Sequence, residues 1–327
     1  MNDLLAANFE DIAKSAERIS NYIYKTPILV SHEINEKFGA NFFFKCENLQ
    51  RTGSFKFRGA INALKQLNSD HCSTVVATFS SGNHAKAMAM SSKILNVKSI
   101  ILMPLDAPLA KLESTRKYAN KVILYDRYVD KREKLLKNIV ETYGAIPISS
   151  YDDYNVILGA GTVCKEFFEE IKNLDAIFIG LGGGGLLAGS SLIGRKLASN
   201  CKIYGVEPQF ANDGQQSFNS GKLVKIETPK TIADGAQTQC LGKKTFNIIK
   251  KYVDDIVTVT DDQIIEGMKI AANYLKLIVE PTGCLGLAAA INNHGALNNK
   301  NIGVILTGSN IDMERFCYLT NASSNQD

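Results

Sequence analysis

The chain of 327 residues is long enough to bury a large core, and its length suits two ordinary domains or one large α/β unit. Apolar residues make up 45% and charged residues 21%, the balance of a globular protein, and no run of like charge marks an acidic or basic tail. The formal charge of +4 is spread along the chain with no Lys/Arg cluster interleaved with aromatics, which argues against a nucleic-acid surface and suits a small anionic ligand.

The N-terminal stretch MNDLLAANFEDIAKSAERI carries Asp3, Glu10 and Asp11 and lacks a basic segment followed by an apolar run, so it reads as an amphipathic helix rather than a signal peptide. Beyond it, short runs rich in Ile, Val and Phe alternate with longer stretches of helical period. That is the pattern of parallel sheets covered on both faces by helices, a doubly wound α/β architecture. Strands are expected at 41–44, 74–79, 99–103, 121–124, 175–179, 202–206, 256–259 and 302–306. Helices are expected at 83–95, 109–118, 128–143, 155–171, 186–198, 261–277 and 283–293. The final TNASSNQD is polar and is expected to fray.

No eighteen apolar residues follow one another, so no membrane span is expected, and the protein reads as soluble and cytosolic. Seven cysteines, Cys46, Cys72, Cys164, Cys201, Cys240, Cys284 and Cys317, form an odd set without a C-x-x-C pair. Neither a disulfide framework nor a zinc site is signalled, and reduced, mostly buried thiols are expected.

Four segments carry chemistry. In Gln50-Arg-Thr-Gly-Ser-Phe-Lys-Phe-Arg-Gly59, one lysine sits between two phenylalanines in a turn just before a helix. Aromatic neighbours desolvate an amine and lower its pKa, the condition for a lysine to act as nucleophile or imine partner. In Phe79-Ser-Ser-Gly-Asn-His84, small hydrogen-bonding residues lie between a strand and a helix. Such a turn is either an ordinary helix cap or a cradle for a carboxylate.

In Phe178-Ile-Gly-Leu-Gly-Gly-Gly-Gly-Leu-Leu-Ala-Gly189, a strand runs through consecutive glycines into a helix, which lets backbone N–H groups close on a phosphate. The same glycines, Gly180, Gly182 and Gly185, satisfy G-x-G-x-x-G, and Glu207 stands where a ribose-binding acid would sit, so a nicotinamide cofactor remains an alternative at this point. The fourth segment, Leu306-Thr-Gly-Ser-Asn310, again follows an apolar strand. Three of the four thus fall at the carboxyl ends of strands, where open α/β sheets bind ligands.

Together, TGSFKFRGA, SSGNH, the GGGG loop and TGSN resemble the fold-type-II (tryptophan synthase β-like) pyridoxal-phosphate enzymes, and most of all the serine racemase and serine/threonine dehydratase family. The likeness runs from Tyr24-Lys-Thr-Pro27 through Glu280-Pro-Thr-Gly283 to Thr307, and it displaces the dinucleotide reading. It implies that Lys56 forms the Schiff base with pyridoxal 5'-phosphate and that Phe55 packs near the ring. Gly182, Gly183, Gly184, Gly185 and Leu186 would hold the phosphate, Asn83 the ring hydroxyl, and Thr307 the pyridine nitrogen. Ser80, Ser81, Gly82, Asn83 and His84 would fix the substrate carboxylate, with Ser81 as the proton carrier opposite Lys56.

The resemblance further implies a large domain of 1–51 and 150–327, a small mobile domain of 52–149, and a homodimer acting on a small hydroxy amino acid. Serine racemisation and dehydration is the leading activity, with threonine or threo-3-hydroxyaspartate ammonia-lyase as the alternative. The stretch 205–213 resembles a divalent-cation site of Glu207, Asp213 and the Ala211 carbonyl, an oxygen set suited to Mg2+ or Ca2+. Ser31, Thr52, Lys276 and Asn310 match residues with which some of these enzymes bind ATP, while Arg51, Lys86 and His32 depart from that pattern. The segment Ala233-Asp-Gly-Ala-Gln-Thr-Gln-Cys-Leu-Gly242 looks more like microbial dehydratases or hydroxyaspartate ammonia-lyases.

Overall fold

The computed structural model describes residues 9–67, 74–292 and 297–321. Within them the strands are, in chain order, β1 (Ile28–Leu29), β2 (Asn41–Cys46), β3 (Val75–Phe79), β4 (Lys98–Pro104), β5 (Lys121–Tyr125), β6 (Ile146–Pro147), β7 (Ala176–Gly180), β8 (Lys202–Pro208), β9 (Asp255–Val259) and β10 (Asn301–Leu306). They form a six-stranded sheet ordered β1-β2-β10-β7-β8-β9 and a four-stranded sheet ordered β5-β4-β3-β6. Every neighbouring pair is parallel except β1 with β2. All strands of the smaller sheet come from residues 75–147.

The helices are α1 (Phe9–Ile19), α2 (His32–Phe38), α3 (Lys56–Lys65), α4 (Asn83–Leu95), α5 (Leu109–Arg116), α6 (Arg132–Tyr143), α7 (Tyr154–Glu170), α8 (Gly185–Leu197), α9 (Asp213–Ser220), α10 (Lys243–Tyr252), α11 (Asp261–Ile270), α12 (Leu285–Asn292) and α13 (Met313–Asn321). They cover both faces of the larger sheet. One face packs on α11 and α12 through Met268, Leu287 and Ile291, the other on α7 and α8 through Phe167, Leu187 and Ile193. A third core, with Phe57, Ile61, Met88 and Ile101, joins α3 and α4 to the smaller sheet.

The eight expected strands are present with ends shifted by one or two residues. The two additional strands, β1 and β6, have two residues each, too few for alternation to register. The helix expected over 261–277 ends its α-turns at Ile270; Ala271–Leu275 widens into a π-turn and Lys276 adopts φ 58°. A 3-10 turn, Pro281–Cys284, precedes α12 where one helix over 283–293 was expected, and residue 293 lies outside the described residues. The helix expected from 128 begins at Arg132, because Asp126 side-chain and backbone oxygens hold 128–130 in a turn. Residues 1–8 and the tail 322–327 also lie outside the described residues.

Six cysteines are free thiols, with Cys46, Cys164, Cys201 and Cys284 buried and Cys317 exposed; Cys72 is outside the described residues. Burial pushes the Cys46 thiol up to about 12. Among the described residues no helix is long and apolar enough to cross a membrane.

α8 packs closely against α7 at Gly189 and Gly161. A β-carbon on Gly189 would overlap the Ile157 carbonyl oxygen and the Gly161 backbone, so only hydrogen fits there. Gly189→Ala is therefore expected to lower stability by about 1–3 kcal/mol through overpacking, read as a lower midpoint in thermal or urea unfolding.

Candidate active site

Three strand ends meet at one cleft. β3 releases the chain at Phe79 and α4 begins at Asn83; β7 ends at Gly180 and α8 begins at Gly185; β10 ends at Leu306 and leads into Thr307. Ser80–His84, Gly182–Leu186 and Thr307 all line the cleft, which holds about 1080 Å3 of atom-free space, its open mouth included. The first turns of α4 and α8 point unpaired N–H groups and positive dipole ends to that space. Gly184 takes φ 96° ahead of α8, and a β-carbon on Gly183 would collide with the Tyr151 ring. The glycines are therefore required on two counts, a left-handed turn and a close approach.

Lys56 is the first residue of α3. The TGSN turn holds it from behind: Ser54 bridges Gly308, and Phe55 N–H donates to the Thr307 carbonyl at 3.1 Å. Its Nζ donates to the Ser150 carbonyl at 3.0 Å and lies 5.0 Å from the Phe55 ring centroid. Desolvation lowers the Lys56 pKa from 10.5 to about 8. Only one of the two flanking phenylalanines acts as expected, because Phe57 turns into the core of α3 and α4, away from the cleft. His84 is fully buried with neither ring nitrogen hydrogen-bonded; burial, and then the charge of Lys56, push it down to about 3, so it stays neutral.

Three polar residues of the cleft, Lys111, Arg132 and Tyr151, carry no local sequence signal. Lys111, on α5, donates to Asp234 at 2.6 Å and to Glu280 at 3.1 Å, tying the smaller sheet's unit to the larger. Burial works against its charge, but the two facing carboxylates outweigh that and raise its pKa. Asn83 donates to Glu280 and accepts from Asn310 at 2.8 Å. Arg132 opens α6 with its guanidinium carbon 4.6 Å from the Phe79 ring centroid, and its ion pair is with the more exposed Glu133. Tyr151 closes one wall. Asp234 and Glu280 fall in quoted segments, yet only the fold shows that they face Lys111; Arg132 sits in an ordinary amphipathic helix.

The residues matched to a cation site do come together. Glu207, next to last in β8, is fully buried and accepts from Gly214 N–H at 3.0 Å and Gln215 N–H at 2.8 Å. It caps α9 and does not line the cleft, which overturns the reading of it as a ribose-binding acid beside the glycine loop. Asp213 is also buried, and neither carboxylate oxygen has a hydrogen bond. Burial lifts Asp213 to about 7, and burial with the Asp213 charge lifts Glu207 well above the usual range. Ala211 is buried as well. Among the described residues no three His, Cys, Asp or Glu side chains cluster for a metal.

Of the residues matched to a nucleotide pattern, Asn310 donates to the Thr52 carbonyl at 2.9 Å. Ser31 caps α2 by accepting from Ile34 N–H, and Lys276 turns back onto the Asn273 carbonyl.

The fold and this cleft define a pyridoxal-phosphate enzyme, and the comparisons agree. The family model described as "Pyridoxal-phosphate dependent enzyme" matches residues 19–308, and the chain belongs to that family. Serine racemase of Schizosaccharomyces pombe is 54% identical over 317 residues, 97% of this chain and 98% of that protein. L-threo-3-hydroxyaspartate ammonia-lyase of Saccharomyces cerevisiae is 49% identical over 316 residues, 97% of each. The solved structure of maize serine racemase matches with a TM-score of 0.90 at 34% identity, covering 97% of this chain and 98% of that one.

The residues present suit the cofactor: a desolvated amine, a backbone anion cradle and a neutral hydroxyl at Thr307 share one cleft. Because only the neutral amine captures an aldehyde, cofactor-free protein should bind pyridoxal phosphate faster as pH rises. The expected midpoint is near 8 rather than 10.5, followed as growth of visible absorbance.

Proposed function

We propose that this chain racemises and dehydrates serine. The observation that carries the reading is the pairing in one cleft of Lys56, with its lowered pKa, and Ser81, held on the turn after β3 of the other sheet. The bound cofactor supplies an electron sink for charge developing at the substrate α-carbon. We assign its phosphate to Gly182–Gly185 and Leu186, its ring hydroxyl to Asn83, its ring nitrogen to Thr307 and its ring face to Phe55. The N–H groups and hydroxyls of Ser80–His84 take the substrate carboxylate at the positive end of α4.

Lys56, its pKa lowered to about 8, removes the α-proton in its neutral form as general base. Ser81 returns a proton from the other face to give the enantiomer. When the β-hydroxyl departs instead as water, hydrolysis of the released 2-aminoacrylate takes up one water, and the net products are pyruvate and ammonia. The unit of residues 52–149 closes over the cleft and excludes water. The protein works as a cytosolic homodimer.

Threo-3-hydroxyaspartate is the second substrate we assign, favoured by Arg132. A second carboxylate in the cleft would meet this guanidinium, whose ion-pair partner is the mostly exposed Glu133, whereas Lys111 is already neutralised by two acids. Mg2+ or Ca2+ at Glu207, Asp213 and the Ala211 carbonyl, with water completing the shell, answers the unpaired Asp213 oxygens. ATP, at Ser31, Thr52, Lys276 and Asn310, is the effector to test beside it.

Purified holoenzyme incubated with L-serine should release both D-serine and pyruvate, and Lys56→Ala should release neither; absence of both products from the wild type would overturn the reading. Arg132→Met should reduce kcat/KM for hydroxyaspartate about ten- to hundred-fold more than for serine, the worth of a hydrogen bond to a charged group. Magnesium added after EDTA treatment should raise the melting temperature of the wild type and leave that of Asp213→Asn unchanged.

A further inference from the structure

Beneath Lys56 lies a second charge cluster, away from the cleft. Lys45 on β2, Glu47 just after β2 and Arg58 on α3 are fully buried, and Glu166 on α7 keeps 16% of its side chain exposed. Two cations and two anions cancel. Arg58 grips both acids with its guanidinium: Nε donates to Glu47 Oε2 at 2.8 Å and Nη2 to Glu47 Oε1 at 2.7 Å. Toward Glu166, Nη1 donates to Oε1 at 2.7 Å and Nη2 to Oε2 at 2.9 Å. Lys45 Nζ closes the cluster on Glu166 Oε2 at 2.8 Å and the Thr26 carbonyl at 2.7 Å, and Thr26 donates to Glu47 at 2.6 Å.

A buried ion pair is weak evidence for stability, because apolar residues of similar volume often serve as well. What a doubly bidentate guanidinium supplies is direction, since its planar fork accepts two carboxylates in only one orientation. Arg58 stands two residues after Lys56 in the first turn of α3. That helix packs both on α7, beside the larger sheet, and on α4, which carries the SSGNH turn. It is shared by the two units, and nothing in its apolar contacts decides which one Lys56 follows. The clamp does decide: both acids belong to the larger unit, and β-carbons at Gly59 and Gly159 would crowd Val156 and the Arg58 carbonyl, so the α3–α7 contact has no slack.

We infer that Arg58 is a positioning residue: through Glu47 and Glu166 it anchors the start of α3 to the unit bearing the tetraglycine turn, and so holds Lys56 Nζ in its desolvated place against Ser150 and Phe55. The inference rests on Lys56 being the cofactor-bearing amine. It implies that, within 52–149, the start of α3 with Lys56 stays with the glycines while the part carrying the SSGNH turn moves.

The test removes one cation and one anion together, Arg58→Met with Glu47→Gln, leaving the Lys45–Glu166 pair intact. Circular dichroism establishes the fold, and the pH dependence of pyridoxal phosphate capture by cofactor-free protein is the readout. A loosened Nζ gains water, so its midpoint is expected to climb from about 8 toward 10.5. A one-unit climb slows capture at pH 7 about tenfold. Arg58→Lys keeps the charge and loses the fork, and is expected to shift the midpoint by less.

A folded double variant with the wild-type midpoint and rate would overturn the inference. Should the double variant not fold, Arg58→Lys alone decides: an upward shift supports the clamp, and no shift overturns it. Undiminished capture by Lys56→Ala would instead sink the assignment of Lys56, whatever Arg58 does.

Discussion

An amine beside a ring of backbone N–H groups is the constraint on which the molecule turns. An ammonium at that place would be well solvated only by opening the cleft, and an anion cradle made of glycine N–H groups works only if water is held off. The structure satisfies both by bringing Lys56 and Gly182–Gly185 to one cleft from elements far apart in sequence, the start of α3 and the turn between β7 and α8. The β10 turn stitches them, since Ser54 and Phe55 pair with Gly308 and Thr307 while β10 itself pairs with β7. Burial of the lysine, the absence of side chains on the glycines and the neutral Thr307 hydroxyl are one arrangement viewed from three sides.

The charges around the cleft divide by task. Lys111 is saturated by Asp234 and Glu280 and acts as a tie between two sheets. Arg132 lines the cleft and has its ion pair with the mostly exposed Glu133. Glu207 and Asp213 are two neighbouring buried carboxyl groups, and burial raises the pKa of both. The Arg58 cluster is balanced in charge and does not line the cleft, so the influence we infer for it is mechanical.

Much of this was legible in the sequence because the informative residues are local. A strand running into four glycines, SSGNH after a strand and a lysine beside phenylalanine each declare themselves within about ten residues, and the long buried strands declare themselves by uninterrupted Ile, Val and Phe. What was not legible depends on long-range pairing. Arg132 and Lys111 look like solvated helix residues until the fold brings them to Phe79 and Glu280. Phe57 and Phe55 flank the same lysine, yet helical geometry sends one to the core and one to the cleft. Glu207 stands by spacing where a ribose-binding acid could sit, and the turn of α9 shows its oxygens accepting from Gly214 and Gln215, away from the cleft. Two-residue strands carry no period at all.

The central claim is that one lysine of this chain, Lys56, holds the cofactor. Protein loaded with pyridoxal phosphate, reduced with borohydride and digested should carry the added pyridoxyl mass on the peptide containing Lys56 when mapped by mass spectrometry. Label on another lysine, with Lys56 unmodified, would contradict the account.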